Sequence, residues 1–404
     1  MGNQVFLLFF VAFFISCSSE TAENKSLVAA EPFAQRLTEL RAELAPDRRT
    51  DRVELTATHH AEDGCIHLTG YTTRLESVKA LRIMADSLGT CFVDDSRILP
   101  RLPRDVPGYA LVDVPVANLR TERGHSQELT SQALLGTPLQ LLDYQDHWYL
   151  VRTPDRYIAW LEEGALTPVR SAEVKAWLED EQLATVVTDR EELQEDPVGR
   201  LTGEVVRGNL VRRTGKVAAG QVEIELPDGR RGFVSPTALE PAAPHLRPAA
   251  LDTERLLATA ASMTGAPYLW GGTSAKGMDC SGFTKMSYYL NGYVIPRDAS
   301  QQVRVGVDVP LDDDFAALQP GDLLFFGSYR DDGSERTTHV GFYLGDGRFL
   351  HAGADNGHIM ENSLREGEAG FAADRLKSLL RARRLSPNSG ATPAGEAFAD
   401  LLDV

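Results

Sequence analysis

The sequence predicts an α+β protein of consecutive domains: a small α+β module, two small β-barrels and a larger α+β domain. Three observations carry this reading. Short apolar strands separated by polar turns fill the middle of the chain, and one phrase within them recurs further along. The last third opens with helical spacing and continues in strands joined by a glycine-flanked turn.

A length of 404 residues leaves room for about two to four domains. With 43% apolar and 25% charged residues the composition is that of a globular protein. The formal net charge of -17 argues against a nucleic-acid partner and against electrostatic docking on anionic lipid.

Residues 5–15 form an unbroken apolar run, too short to span a bilayer but suited to a signal-peptide core. It ends at Ser16-Cys17-Ser18-Ser19 and resembles a bacterial lipoprotein cleavage box, which implies that Cys17 becomes the lipidated first residue. Residues 1–4 lack the usual Lys or Arg, and a plain secretory signal is the alternative. The expectation is a signal peptide over 1–17 and an exported, lipid-anchored protein of the cell envelope facing the periplasm. It would meet the membrane only through Cys17.

A polar tether over 20–30 precedes a helix at 31–45, spaced by Phe33, Leu37, Leu40 and Leu44. Strands at 53–58, 65–70 and 91–93 and a helix at 75–88 complete a small α+β module, residues 31–100, in which no chemistry is recognisable. Its His59, His60 and His67 lack a partner at ligand spacing and read as surface or strand histidines. Cys65 and Cys91 are either a disulfide or two buried thiols. A first barrel is expected over 107–170. Its phrase Pro154-Asp155-Arg156-Tyr157-Ile158-Ala159-Trp160-Leu161 parallels Pro227-Asp228-Gly229-Arg230-Arg231-Gly232-Phe233-Val234, which predicts a second barrel over 198–242 after a helical linker at 172–183. The proline- and alanine-rich stretch 241–248 marks the next boundary; the last domain is expected over 249–386, followed by a loose tail over 387–404.

The chemistry concentrates in 252–352. A glycine loop over 271–277 leads to Cys280, from which Phe283, Met286 and Leu290 give helical spacing, ended by Asn291-Gly292. Cys280 therefore starts a helix, where the macrodipole and free N–H groups favour a thiolate. Downstream, strands at 322–326, 338–344 and 348–352 include a hairpin turn at Gly345-Asp346-Gly347. A turn centred near Asp346 sets His339 opposite Gly353 and diagonal to His351, on one side of the sheet. Thiol, base and orienting group form a nucleophilic set.

Asp279-Cys280-Ser281-Gly282, His339-Val340-Gly341 and His351 resemble the NlpC family of bacterial cell-wall cysteine peptidases over residues 252–352. The resemblance implies a papain-like catalytic domain in which Cys280 attacks, His339 is acid and base, and His351 orients it. Tyr268 and the Cys280 N–H would hold the oxyanion, and Asp279, Ser281 and Trp270 would line a D-glutamate pocket. Arg297-Asp298-Ala299-Ser300-Gln301-Gln302 and the paired bacterial SH3-like domains look like the subgroup that cleaves γ-D-glutamyl–diamino acid bonds in released muropeptides. There Asp298 would capture the free amine of L-Ala; the alternative is a loop or helix-capping carboxylate. The run from Ser126 to Gly136 also matches that subgroup, whose Tyr157 and Glu128 would close the substrate's amino end, although Tyr157 equally suits barrel core. Arg156 and Ala159 replace two glycines common in the barrel motif. No cofactor or metal is expected, and the partners are peptidoglycan-derived peptides. A hydrolase of the intact sacculus and a noncatalytic wall-binding lipoprotein are the other readings.

Overall fold

The computed structural model describes residues 22–197, 199–312 and 314–402, so the expected signal segment and Cys17 lie outside the described residues. The chain divides into two units, Met1–Leu99 and Pro100–Val404.

In the first unit, α1 (Ala22–Leu44) begins earlier than the helix expected at 31 and takes in most of the expected tether. Phe33, Leu37 and Leu40 bury one stripe of it. β1 (Val53–His59) and β2 (Ile66–Thr72) pair antiparallel. After α2 (Leu75–Leu88), β3 (Phe92–Asp94) and β4 (Arg97–Ile98) join β2 in parallel. The helices and the sheet share one core of Phe33, Leu37, Leu55, Ile66, Leu68 and Leu81. Gly89, at φ 62°, ends α2 in the left-handed conformation that glycine adopts without a Cβ clash. Cys65 and Cys91 are joined by a disulfide.

The second unit opens with seven strands: β5 (Tyr109–Val112), β6 (Val116–Arg120), β7 (Leu129–Leu134), β8 (Pro138–Gln145), β9 (Trp148–Arg152), β10 (Ile158–Glu162) and β11 (Leu166–Val169). They form one sheet in the order β11-β5-β8-β9-β10-β6-β7. After α3 (Ser171–Leu178) come β12 (Leu183–Val186), β13 (Arg190–Gln194), β14 (Leu201–Val206), β15 (Leu210–Ala218), β16 (Gln221–Glu225), β17 (Arg231–Val234) and β18 (Leu239–Pro241). Their order, β18-β12-β15-β16-β17-β13-β14, repeats the first sheet strand for strand. The second module thus starts at Leu183, not at 198. Its first strands hide from sequence reading because β12 has only four residues and β13 buries Leu193 alone among charged neighbours.

Two short helices, α4 (Ala243–Leu246) and α5 (Thr253–Ser262), lead into the last domain. It continues through a two-residue pair, β19 (Thr273–Ser274) and β20 (Gly277–Met278), α6 (Cys280–Leu290), β21 (Tyr293–Val294) and α7 (Ala299–Gln302). Five of its remaining strands are β22 (Val307–Val309), β23 (Leu323–Tyr329), β24 (Glu335–Gly345), β25 (Arg348–Gly353) and β26 (His358–Ser363). After α8 (Ala373–Ser378), β27 (Leu379–Arg384) completes an antiparallel sheet ordered β22-β27-β23-β24-β25-β26. The pleat sends Leu323, Phe325, Val340 and Phe342 to one face, where Phe283 and Met286 of α6 meet them. Leu324, Phe326, Tyr343 and Phe349 build a second core on the other face.

The tail is not loose. β28 (Thr392–Pro393) pairs with β21, and α9 (Ala394–Asp400) buries Ala394, Ala397 and Phe398. Small alanines and a single aromatic carry that packing, too faint a pattern to read as an element.

Candidate active site

Asp279 sets the local geometry. As N-cap of α6 it accepts from the Gly282 N–H at 2.7 Å, which makes Cys280 the first helical residue. Its other oxygen accepts from the Gly271 N–H at 2.9 Å, tying the glycine loop down. The buried Arg297 donates from Nη1 and Nη2 to the two oxygens at 3.0 and 2.7 Å, and Ser281 Oγ adds a bond at 3.2 Å. Asp279 and Ser281, expected to line a substrate pocket, are thus both buried and bonded within the protein. Gln302, fully buried, adds a strut by donating to the Ser281 and Pro296 carbonyls.

The two imidazoles face one another. His339 lies on β24 and His351 on β25; the ladder between the strands ends at Phe342↔Leu350, and its register extended sets His339 opposite Gly353. Gly341 makes the approach possible, since a Cβ there would stand 2.9 Å from that of His351. His339 Nε2 lies 2.8 Å from His351 Nδ1, and His351 Nε2 lies 2.9 Å from Asn362 Oδ1. His339 also packs on Phe326, on the sheet face opposite α6. Pairing of β24 with β25 runs only from Phe342 onward, and the Val340 N–H beyond it acts to lower the Cys280 thiol. Among the described residues no hydrogen bond joins the sulfur to either imidazole, a looseness common before substrate tightens a site.

Electrostatics here differ from the sequence expectation of a thiolate. Burial, seconded by the Asp279 charge, pushes the Cys280 thiol up to about 12, against the Val340 and Ser281 N–H groups and Arg297. A shift of that size from 9.0 is roughly 4 kcal/mol, whereas a helix N-terminus contributes about 0.3–1 kcal/mol. Burial wins. Burial also lowers both imidazoles, His339 well below its ordinary value with help from His351 and Arg375. At neutral pH the resting pair is a thiol and a neutral imidazole. Tyr268 is partly buried, and its hydroxyl is raised by burial first and by the Asp279 charge besides.

The first β-module grips the cysteine loop. Trp270, 63% exposed, donates its indole N–H to Glu128 at 2.8 Å. Gly271 holds φ 77°, and a Cβ there would sit 2.3 Å from the Leu129 carbonyl oxygen. Gln132 and Thr273 exchange three hydrogen bonds at 2.9–3.2 Å, and Ser274 adds a fourth at 2.9 Å. Lys285 on α6 pairs at 2.7 Å with Asp155, whose side chain is 2% exposed. Tyr157 is buried in the module core and acts electrostatically on Arg297. Beside it Arg156 adopts φ 66°, the left-handed conformation suited to the glycine it replaces, and Ala159 is buried. Asp298 caps α7, its side chain 27% exposed and 3.9 Å from Arg297.

Sequence reading missed Arg297, Gln302, Asn362 and Arg375 as site residues. An Arg before a short helix and a Gln at its end give no sign of burial, and β26 and α8 stand outside the motifs. Among the described residues no group of His, Cys, Asp and Glu could hold a metal ion.

Residues 265–373 match the NlpC/P60 family, and residues 119–166 match a bacterial dipeptidyl-peptidase SH3 domain. A gamma-D-glutamyl-L-lysine dipeptidyl-peptidase of Bacillus subtilis is 48% identical over 99 residues, 24% of this chain and 31% of that protein. Dipeptidyl-peptidase 6 of Lysinibacillus sphaericus is 29% identical, covering 64% of this chain and 92% of that one. A gamma-D-glutamyl-L-lysine dipeptidyl-peptidase of Bacillus cereus is 31% identical, covering 56% of this chain and 68% of its own length. The crystal structure of an NlpC/P60 protein from Bacillus cereus shares the fold, with TM-score 0.57 at 24% identity over 68% of this chain and 99% of that one. Matched from before the glycine loop to the first residue of α8, with an SH3 domain fixed beside its cysteine loop, the chain belongs to the NlpC/P60 family of cysteine peptidases.

Proposed function

We propose that this protein hydrolyses the γ-D-glutamyl–diamino acid bond of peptidoglycan peptides, acting on released fragments with a free N-terminal L-Ala. The observation that carries the chemistry is the His339–His351 contact of 2.8 Å, with the Val340 N–H next to His339 favouring the Cys280 thiolate. In this reading the Cys280 proton passes to His339 Nδ1 as sulfur bonds to the scissile carbonyl carbon. The carbonyl oxygen becomes an oxyanion near the Tyr268 hydroxyl and the Cys280 N–H. His339 then protonates the departing amine of the diamino acid as the C–N bond breaks. Water, deprotonated by the same imidazole, cleaves the thioester and restores the thiol.

The names of the Bacillus relatives support the bond, and the gripping first module supports the fragment preference. Asp298 is the carboxylate for the L-Ala ammonium, with Glu128 and Tyr157 closing that end and Trp270 along the cleft wall. The domains are read as signal peptide 1–17, α+β module, two SH3-like modules and peptidase domain. The protein is read as exported to the envelope, with Cys17 lipidated.

L-Ala-γ-D-Glu-diamino acid tripeptide, free and N-acetylated, tests this reading. The free peptide should be cleaved and the acetylated one spared, and Cys280→Ala should abolish cleavage. Equal cleavage of both would remove amine capture, peptide release from purified sacculi would favour the intact wall as substrate, and cleavage by Cys280→Ala would sink the enzymatic assignment.

A further inference from the structure

We propose that Asn362 is a positioning residue that fixes the tautomers of both imidazoles, and so decides which nitrogen of His339 can take a proton. The inference rests on the proposed roles of Cys280 and His339. It starts at the far end of the chain of bonds. Asn362 Nδ2 donates to the Gly370 carbonyl at 2.9 Å, and a carbonyl can only accept. That pins the amide with its oxygen toward His351, where the Asn356 amide also donates to it at 3.4 Å. An amide oxygen only accepts as well, so His351 Nε2, at 2.9 Å, must carry the hydrogen. A neutral His351 with its hydrogen on Nε2 has a lone pair on Nδ1. His339 Nε2, 2.8 Å from that lone pair, must then be the donor. The hydrogen of neutral His339 is thereby held on Nε2, and Nδ1 is left as the free base.

The alternative set of tautomers is disfavoured at every link. With hydrogen on His351 Nδ1, its Nε2 lone pair would face the Asn362 oxygen and His339 Nε2 would become the acceptor. The hydrogen of His339 would move to Nδ1, removing the only lone pair able to accept a thiol proton. Asn362 reaches the pair because Asn362 pairs with Phe349 across β26 and β25, which sets its side chain on the same face as His351, one alternation away. Its side chain bonds His351, Asn356 and Gly370, and its action on His339 runs through His351.

The test reads ring nitrogens by ¹H–¹⁵N NMR of histidine-labelled protein at a pH where both rings are neutral. In the unsubstituted protein His339 and His351 should both be Nε2–H tautomers; a His351 Nδ1–H form would overturn the proposal with no variant made. Asn362→Leu should give mixed tautomers at both rings and lower kcat about tenfold to a hundredfold with KM unchanged. Asn362→Asp, which still accepts from His351 Nε2, should keep the tautomers and move the acid limb of the kcat profile to higher pH. If Asn362→Leu is folded and keeps both tautomers, the proposal fails, whatever its rate. Loss of the Asn362 effect while Cys280→Ala still abolishes cleavage refutes only this inference; cleavage by Cys280→Ala refutes the enzymatic reading beneath it.

Discussion

Alkylation of Cys280 as a function of pH is the most direct check on the electrostatics of the site. An exposed cysteine, with a pKa of about 8.5, is a few per cent thiolate at pH 7. Burial and the Asp279 carboxylate push this one up to about 12, which leaves roughly one molecule in a hundred thousand as thiolate at that pH. Iodoacetamide reacts with the thiolate, so Cys280 should label about a thousandfold more slowly than an exposed thiol, with a rate climbing about tenfold per pH unit from 7 to 10. Peptide mapping by mass spectrometry isolates the peptide holding Cys280, the free cysteine among the described residues. A rate that levels off below about pH 7 would mean a preformed thiolate–imidazolium pair, and would refute the argument that burial outweighs the helix terminus.

Arg297→Met should lower the stability of the second unit by about 3–5 kcal/mol by leaving Asp279 buried without its cation, and Asp279→Asn in the same chain should recover part of it. Tryptophan fluorescence in urea follows this cleanly, because Trp148, Trp160, Trp177 and Trp270 all lie in that unit; a loss under about 1 kcal/mol would contradict it. His245 is buried, and burial followed by the Arg255 charge lowers it to about 4. The native state therefore binds fewer protons than the unfolded one between pH 6.5 and about 4, so its contribution is complete above 6.5 and lost as pH falls through that window. The loss is roughly 3 kcal/mol, and His245→Phe should flatten the acid side of a stability–pH curve. Reducing Cys65–Cys91, 26 residues apart, should destabilise the first unit by about 3 kcal/mol, seen as faster amide exchange in β1 and β2.

The sequence exposed those parts of the site that rest on period and punctuation. Cys280 at a helix start follows from a glycine loop before helical spacing, and the His339–His351 register follows from one hairpin turn. The repeat of the two modules was legible from one eight-residue phrase because a turn and an aromatic strand end leave a local trace. Burial left none. Nothing in Arg297 says that its side chain is fully enclosed, whereas the helix cap at Asp298 was one of the two readings open before Ala299. The thiolate expectation failed for the same reason, since helix placement is local and desolvation is tertiary. The first two strands of the second module and α9 escaped because elements this short, or built of alanine, are too brief to impose a period.

The grip of the first module on the cysteine loop bears on which peptides can react. Glycine at 271 lets the loop lie against Leu129, the Gln132–Thr273 bonds are buried, and Lys285–Asp155 ties α6 itself to the module. Opening that seam would strip a buried carboxylate of its cation and leave the Gln132 and Thr273 backbone groups unsatisfied, several kilocalories in total. The module is therefore fixed against the cysteine loop and not hinged on it, and in the proposed reading it is a fixed wall of the cleft. A fixed wall selects by what it excludes. A peptide still attached to glycan has its L-Ala nitrogen tied up as an amide, with bulk beyond it and no charge to pair with Asp298. On this argument, discrimination against blocked amino ends should persist when Asp298 is neutralised to Asn, because bulk is still refused. Charge recognition alone would make Asp298→Asn accept free and acetylated peptides equally, and that result would return the module to a merely structural role.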